Sequence, residues 1–107
     1  MAVIKEFSKN ILTEEMKKDK LIVIDFYAVW CGPCKSFASV FELCAAEMSE
    51  YATFGKVNID DHRDLAIEYK ISSIPTLLII KDGVPVWTQI GSLDLESLKS
   101  KIMVFTK

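Results

Sequence analysis

No stretch of this chain is apolar for long enough to cross a membrane. The longest apolar run, Leu21 to Trp30, is broken by Asp25, whereas a membrane helix needs about 20 residues. Positive charge is not in excess either. Lys and Arg number 13 against 15 Asp and Glu, a net charge of −2, which leaves no basic footprint for nucleic acid. The two signs are interspersed, so there is no charged tail. Met1 to Phe7 has one lysine and no long apolar core, unlike a signal peptide. Linkers, repeats and low-complexity stretches are missing. Cysteine is scarce and odd in number, three in all, which is poor material for a secreted disulfide framework. These absences point to a cytoplasmic protein, with residues 1–107 forming one compact domain. A matrix or organelle protein whose targeting segment had been removed would look the same.

Half of the residues are apolar, and their spacing orders the chain. Val3 to Phe7 reads as a short edge strand. Ser8 caps a short helix to about Lys17, with Ile11, Leu12 and Met16 inward. Leu21 to Ala28 is apolar on both alternating faces, as a central strand covered on both sides is. From Cys34 to about Tyr51 the residues Phe37, Val40, Phe41, Cys44, Ala45 and Met48 form one helical stripe. Thr53 to Asp60 is a third strand. Asp61 is placed to cap a short helix offering Leu65, Ile67 and Tyr69. Thr76 to Lys81, the turn Asp82-Gly83 and Pro85 to Ile90 form a hairpin. Asp94 caps a last helix with Leu95, Leu98, Ile102 and Phe105 inward. The order β-α-β-α-β-α-β-β-α implies an α/β fold, a partly parallel sheet with an antiparallel edge and helices on both faces.

The chemistry centres on Cys31-Gly32-Pro33-Cys34, at the junction of the buried strand and the long helix. Only a thiolate attacks a disulfide. Ahead of the first helical turn, free N–H groups and the helix dipole favour negative charge on Cys31. Pro33 suits a first turn, where an N–H is dispensable, and Gly32 leaves the approach open. Cys34 follows Cys31 by three residues, so the two sulfurs meet on one side of the turn. A structural zinc site is the competing reading. It requires four ligands, and the chain adds only Cys44, about 15 Å along the helix from Cys34 at the standard rise, and His62, which sits among charged residues. The pattern therefore favours dithiol redox chemistry. Cys44, inside the apolar stripe, reads as a buried inert thiol.

Asp25 interrupts the buried strand. Burial makes a carboxylate costly to ionise and raises its pKa, so it becomes a candidate proton acceptor near neutral pH. Lys56 in the next strand could approach it, although a lysine is ordinarily just exposed. Pro75 opens a strand, where proline is tolerated. Trp30 either flanks the thiol or packs in the core.

Taken together, Trp30-Cys31-Gly32-Pro33-Cys34-Lys35, the upstream Asp25-Phe26, Lys56-Val57-Asn58-Ile59-Asp60, Ile74-Pro75-Thr76, Lys81-Asp82-Gly83 and Gly91 resemble the thioredoxin family over essentially the whole chain. The resemblance implies the thioredoxin fold, a central five-stranded mixed sheet in the order 1-3-2-4-5 flanked by four helices. It implies an exposed nucleophile at Cys31, a resolving thiol at Cys34, the family's buried acid at Asp25 and its buried lysine at Lys56. It also implies a cis bond before Pro75. Trp30, Gly32, Pro33, Ile74, Pro75 and Gly91 would border a shallow groove for an extended target segment. The implied activity is protein-disulfide reduction by a monomer through a redox-active Cys31–Cys34 disulfide. No cofactor would be bound; NADPH would be used indirectly, through a thioredoxin reductase. Partners would be disulfide-containing proteins and that reductase, with no nucleic acid and no membrane.

Four positions depart from the family pattern. Ser39 replaces a helix-kinking proline, so a straighter helix or a kink held by packing is expected. Val29 makes the rim more apolar, and Ser72-Ser73 alters the approach to Ile74. Gly32-Pro33 resembles the reducing members of the superfamily; an isomerase or oxidase usually has a histidine between its cysteines. A non-catalytic subunit of a larger complex is the alternative of a different class.

Overall fold

A computed structural model describes residues 4–18 and 21–107. In chain order the elements are β1 (Ile4–Glu6), α1 (Lys9–Lys18), β2 (Leu21–Tyr27), α2 (Gly32–Met48), β3 (Thr53–Asn58), α3 (Arg63–Glu68), β4 (Thr76–Lys81), β5 (Val84–Ile90) and α4 (Leu95–Val104). The five strands form one sheet in the order β1-β3-β2-β4-β5. β2 pairs in parallel with β3 and antiparallel with β4. Its central position explains why Leu21 through Phe26 are all buried, unlike the half-polar pattern of an edge strand.

Side chains alternate across the sheet, and two cores follow from that alternation. Leu21, Val23, Phe54, Leu77 and Ile79 pack with Phe37, Phe41, Cys44 and Met48 of α2 and with Leu98 and Ile102 of α4. Ile22, Ile24, Phe26, Val57, Leu78 and Ile80 pack on the opposite face with Leu12 of α1 and Leu65 of α3. The hairpin between β4 and β5 turns through Asp82 at φ 52° and Gly83 at φ 80°, the left-handed pair that a two-residue turn matched to strand twist requires.

Several local expectations are corrected. Ile11 is exposed, and Glu15 occupies the inward position beside Leu12 and Met16. Its carboxylate is accommodated because Lys5 Nζ lies 2.5 Å and Lys18 Nζ 3.6 Å away, and a buried charge needs such partners. Asp61 does not cap α3. The N-cap is His62 without a side-chain bond, while Asn58 Oδ1 accepts from the Asp60 and Asp61 N–H groups at 2.9 and 3.4 Å. Ile67 is 74% exposed and joins neither core. α2 ends at Met48, three residues before Tyr51, and runs unbroken through Ser39. The strand expected at Val3 begins at Ile4, Val3 lying outside the described residues.

β3 runs parallel beside β2, and at Gly55 its backbone meets the ring of Phe7. A Cβ on Gly55 would collide with that ring, and Phe7 is fully buried. Gly55→Ala should therefore destabilise the protein by about 1–3 kcal/mol, the usual cost of forcing volume into a packed core. Urea denaturation measures this, and an unchanged midpoint would show that the ring yields freely.

Candidate active site

β2 ends at Tyr27 and the chain turns through Ala28–Trp30 into α2. Cys31 is the N-cap of that helix, in extended conformation, and Pro33 lies within its first turn. The Cys34 N–H donates to Cys31 Sγ at 3.2 Å. The sulfur thus occupies the position where a capping oxygen normally meets the free amides of a helix. Those amides and the dipole of a 17-residue helix favour the thiolate over the thiol. In this structure Cys31 and Cys34 are joined as a disulfide, with Cα atoms 5.3 Å apart.

The expectation of an exposed Cys31 is corrected for this disulfide form. Cys31 is 5% and Cys34 4% exposed, because Ala28, Tyr27, Ile59 and Ile74 pack around the pair. What distinguishes the two sulfurs is the cap position of Cys31 and its proximity to the loop of Ile74, whose carbonyl oxygen is 3.9 Å from Cys31 Sγ. The Ile74–Pro75 bond is cis, as the resemblance implied. The Gly91 N–H donates to the Pro75 carbonyl at 2.8 Å, and Gly91 has φ +91°, which favours glycine. Ile74, Pro75 and Gly91 are thereby held together beside the disulfide, although they come from different segments.

Trp30 is a rim residue and not part of the core. It is 67% exposed, and its Nε1 donates to Asp60 Oδ2 at 2.8 Å. Sequence reasoning did not single out Asp60. The available signal was topological, since parallel β2 and β3 end at the same edge of the sheet and their following loops must meet. Val29, next to Trp30 in the chain, is also exposed, so it adds an apolar side chain to the rim, as expected. A surface cavity lies elsewhere, against Leu21, Tyr51, Lys81 and Phe105, at the start of β2 and away from the cysteines.

Asp25 is 4% exposed, and its Oδ1 has no hydrogen-bond partner among the described residues. It shares a sheet face with Val23, which packs against α2, and with Tyr27, which packs against the cysteine pair. Burial pushes its pKa up to about 7, and Lys56 partly opposes the rise. Lys56 is in register with Asp25, but its side chain is 40% exposed and its Nζ lies 3.3 Å from Glu6 Oε2. The buried lysine implied by the resemblance is thus corrected: a partner at the sheet edge draws the ammonium outward. Cys44 is buried, as expected, and burial raises its thiol to about 11. Among the described residues no group of three or more His, Cys, Asp or Glu could hold a metal ion, and no helix is long and apolar enough to cross a membrane.

The family model described as thioredoxin matches residues 3–104. The chain belongs to the thioredoxin family. It is 40% identical over 94 residues to a thioredoxin of Chlorobaculum thiosulfatiphilum, covering 88% of this chain and 87% of that relative. It is 51% identical over 78 residues to a thioredoxin of Chlamydia caviae, covering 73% of this chain and 76% of the other. Among solved structures, a Malassezia sympodialis thioredoxin superposes with TM-score 0.88 at 30% identity, over 100% of this chain and 94% of that one. As a thioredoxin with a disulfide-forming Cys31–Cys34 pair, the protein is a thiol–disulfide oxidoreductase. It reduces protein disulfides with that pair as its redox group.

Proposed function

We propose that Cys31 is the attacking thiol and Cys34 the resolving one, with Asp25 receiving the Cys34 proton. Cys31 thiolate attacks one sulfur of a target disulfide, forming a mixed disulfide and expelling the other sulfur as thiolate. Cys34, deprotonated to Asp25, then attacks Cys31 Sγ. The Cys31–Cys34 disulfide forms and the second target sulfur leaves. The target gains two electrons, and the pair loses two. The observation that carries this assignment is the Cys31 sulfur at the helix cap, accepting the Cys34 amide. Asp25 suits its role because a group with pKa about 7 is available in both protonation states near neutral pH.

An extended target segment would lie across Trp30, Gly32, Pro33, Ile74, Pro75 and Gly91. Pro75 has no N–H and its carbonyl is engaged by Gly91, so the backbone of Ile74 would pair with the target as an added strand does. Lys56 would tune Asp25 through its charge. Re-reduction would come from a flavoprotein thioredoxin reductase drawing on NADPH. The protein would work in the cytoplasm as a monomeric electron carrier, with residues 1–107 as one domain.

The test is insulin reduction with excess dithiothreitol. The protein should accelerate disulfide cleavage well beyond dithiothreitol alone, and a Cys31→Ser variant should not. Equal rates with and without the protein would overturn the reading. A Cys31→Ser, Cys34→Ser variant that fully meets the cell's need for the protein would instead favour a non-catalytic role.

A further inference from the structure

We propose that Glu6 is a positioning residue for this redox site: it anchors Lys56 at the outer end of a row across the sheet and so limits the positive charge that reaches Asp25. This rests on the reading of Asp25 as the acceptor of the Cys34 proton. The row is set by backbone register. Glu6 pairs with Lys56 across β1 and β3, and Lys56 pairs with Asp25 across β3 and β2. Residues in register project to the same face, and neighbouring strands are about 4.8 Å apart. Lys56 therefore stands between two carboxylates and can approach either.

Three contacts decide which one it takes. Its Nζ lies 3.3 Å from Glu6 Oε2. The same oxygen accepts from Tyr27 OH at 2.9 Å, which fixes the carboxylate. The ammonium also sits 5.2 Å from the centre of the Tyr27 ring, a distance at which a cation is attracted to an aromatic face. Asp25 is left with an unpartnered Oδ1. From β4 it faces Leu77. α2, covering that face, brings Phe37, the Cys44 thiol, which burial keeps protonated, and, at its start, Cys34; Lys35 of the same turn is exposed. α4 adds Leu98 and Ile102. Lys56 is thus the charged group in register with Asp25, and Glu6 holds it off.

The Glu6 and Lys56 side chains are 54% and 40% exposed, so the pair itself adds little stability and Glu6→Gln should fold. Its effect is read at Asp25, where burial strengthens charge interactions. In Glu6→Gln, Lys56 is free to move toward Asp25. The Asp25 titration midpoint, followed by carbon-13 NMR of its carboxyl in the disulfide form, should fall by about one pH unit. In a Lys56→Met background, adding Glu6→Gln should leave the midpoint where Lys56→Met alone puts it. An unmoved midpoint in Glu6→Gln would overturn the proposal. So would an equal fall without Lys56, since the effect would then come from the charge of Glu6 itself. The titration is read without turnover. A midpoint that falls while the acid limb of turnover stays put would therefore count against Asp25 as the proton acceptor, and not against the anchoring by Glu6.

Discussion

Cys34→Ser should halt multiple turnover and leave target proteins covalently attached to Cys31. Cys31 keeps its helix-cap position, so the first attack proceeds. The mixed disulfide then lacks its neighbouring thiol and waits for an external one. Resolution by a tethered group benefits from effective molarities that reach about 10⁵ M or more in well-oriented reactions. Millimolar dithiothreitol cannot replace that, and a fall of at least about a thousandfold in turnover is expected even on a small share of this advantage. Non-reducing gels of lysate passed over the variant would show adducts that dithiothreitol releases. The mirror variant, Cys31→Ser, should trap nothing, because Cys34 lies inside the helix and lacks the cap position that favours a thiolate on Cys31. Adducts on Cys34 in that variant would reverse the two roles.

Asp25→Asn should stabilise the protein in base and slow it at neutral pH. Asp25 has a folded pKa of about 7 against an ordinary 3.8, so the folded state binds its proton more tightly than the unfolded chain does. For a carboxyl raised in this way, stability is fully present below about pH 4 and is lost as pH rises through about 7. At 1.36 kcal/mol per pH unit, the gap between about 7 and 3.8 corresponds to a loss of about 4 kcal/mol. An asparagine never ionises and escapes it. Urea unfolding of the disulfide form should show parent and variant nearly equal at pH 4 and the variant more stable by up to about 4 kcal/mol at pH 9. Turnover should show the opposite order. The variant should be slower near pH 7, where the parent has a carboxylate to take the Cys34 proton, and the deficit should shrink at higher pH as hydroxide deprotonates the thiol. Parallel stability curves from pH 4 to pH 9 would mean that Asp25 is not desolvated. An unchanged pH profile of turnover would remove it from the mechanism.

Both expectations begin with residues that the sequence made visible. A carboxylate flanked by Leu21-Ile22-Val23-Ile24 and Phe26 stands out because all of those neighbours are apolar, and it proved to be buried in the central strand. The cysteine pair was equally plain, since cap, proline and spacing are local properties. The stripe of α2, the Asp82-Gly83 turn and the Asp94 cap, which accepts the Ser97 N–H at 3.1 Å, are of the same kind. Errors arose where a residue's environment depends on distant partners. Glu15 is inward because Lys5, ten residues earlier, reaches it. The Asp61 error is local instead: Asn58, three residues earlier, takes the Asp60 and Asp61 N–H groups on its own side-chain oxygen.

By itself, then, the sequence determined the order of elements, the cysteine couple with its helix cap, and the buried acid of the central strand. Each follows from side chains within a few residues of one another, where bond geometry and hydrophobic period leave little choice. Only the tertiary structure decided that Trp30 is tied to Asp60, that Gly91 meets Pro75, and that Lys56 turns to Glu6 and away from Asp25. These contacts join residues from separate strands and loops. Their partners are chosen by strand order and register, which the packing of the whole sheet fixes and no local stretch of chain encodes.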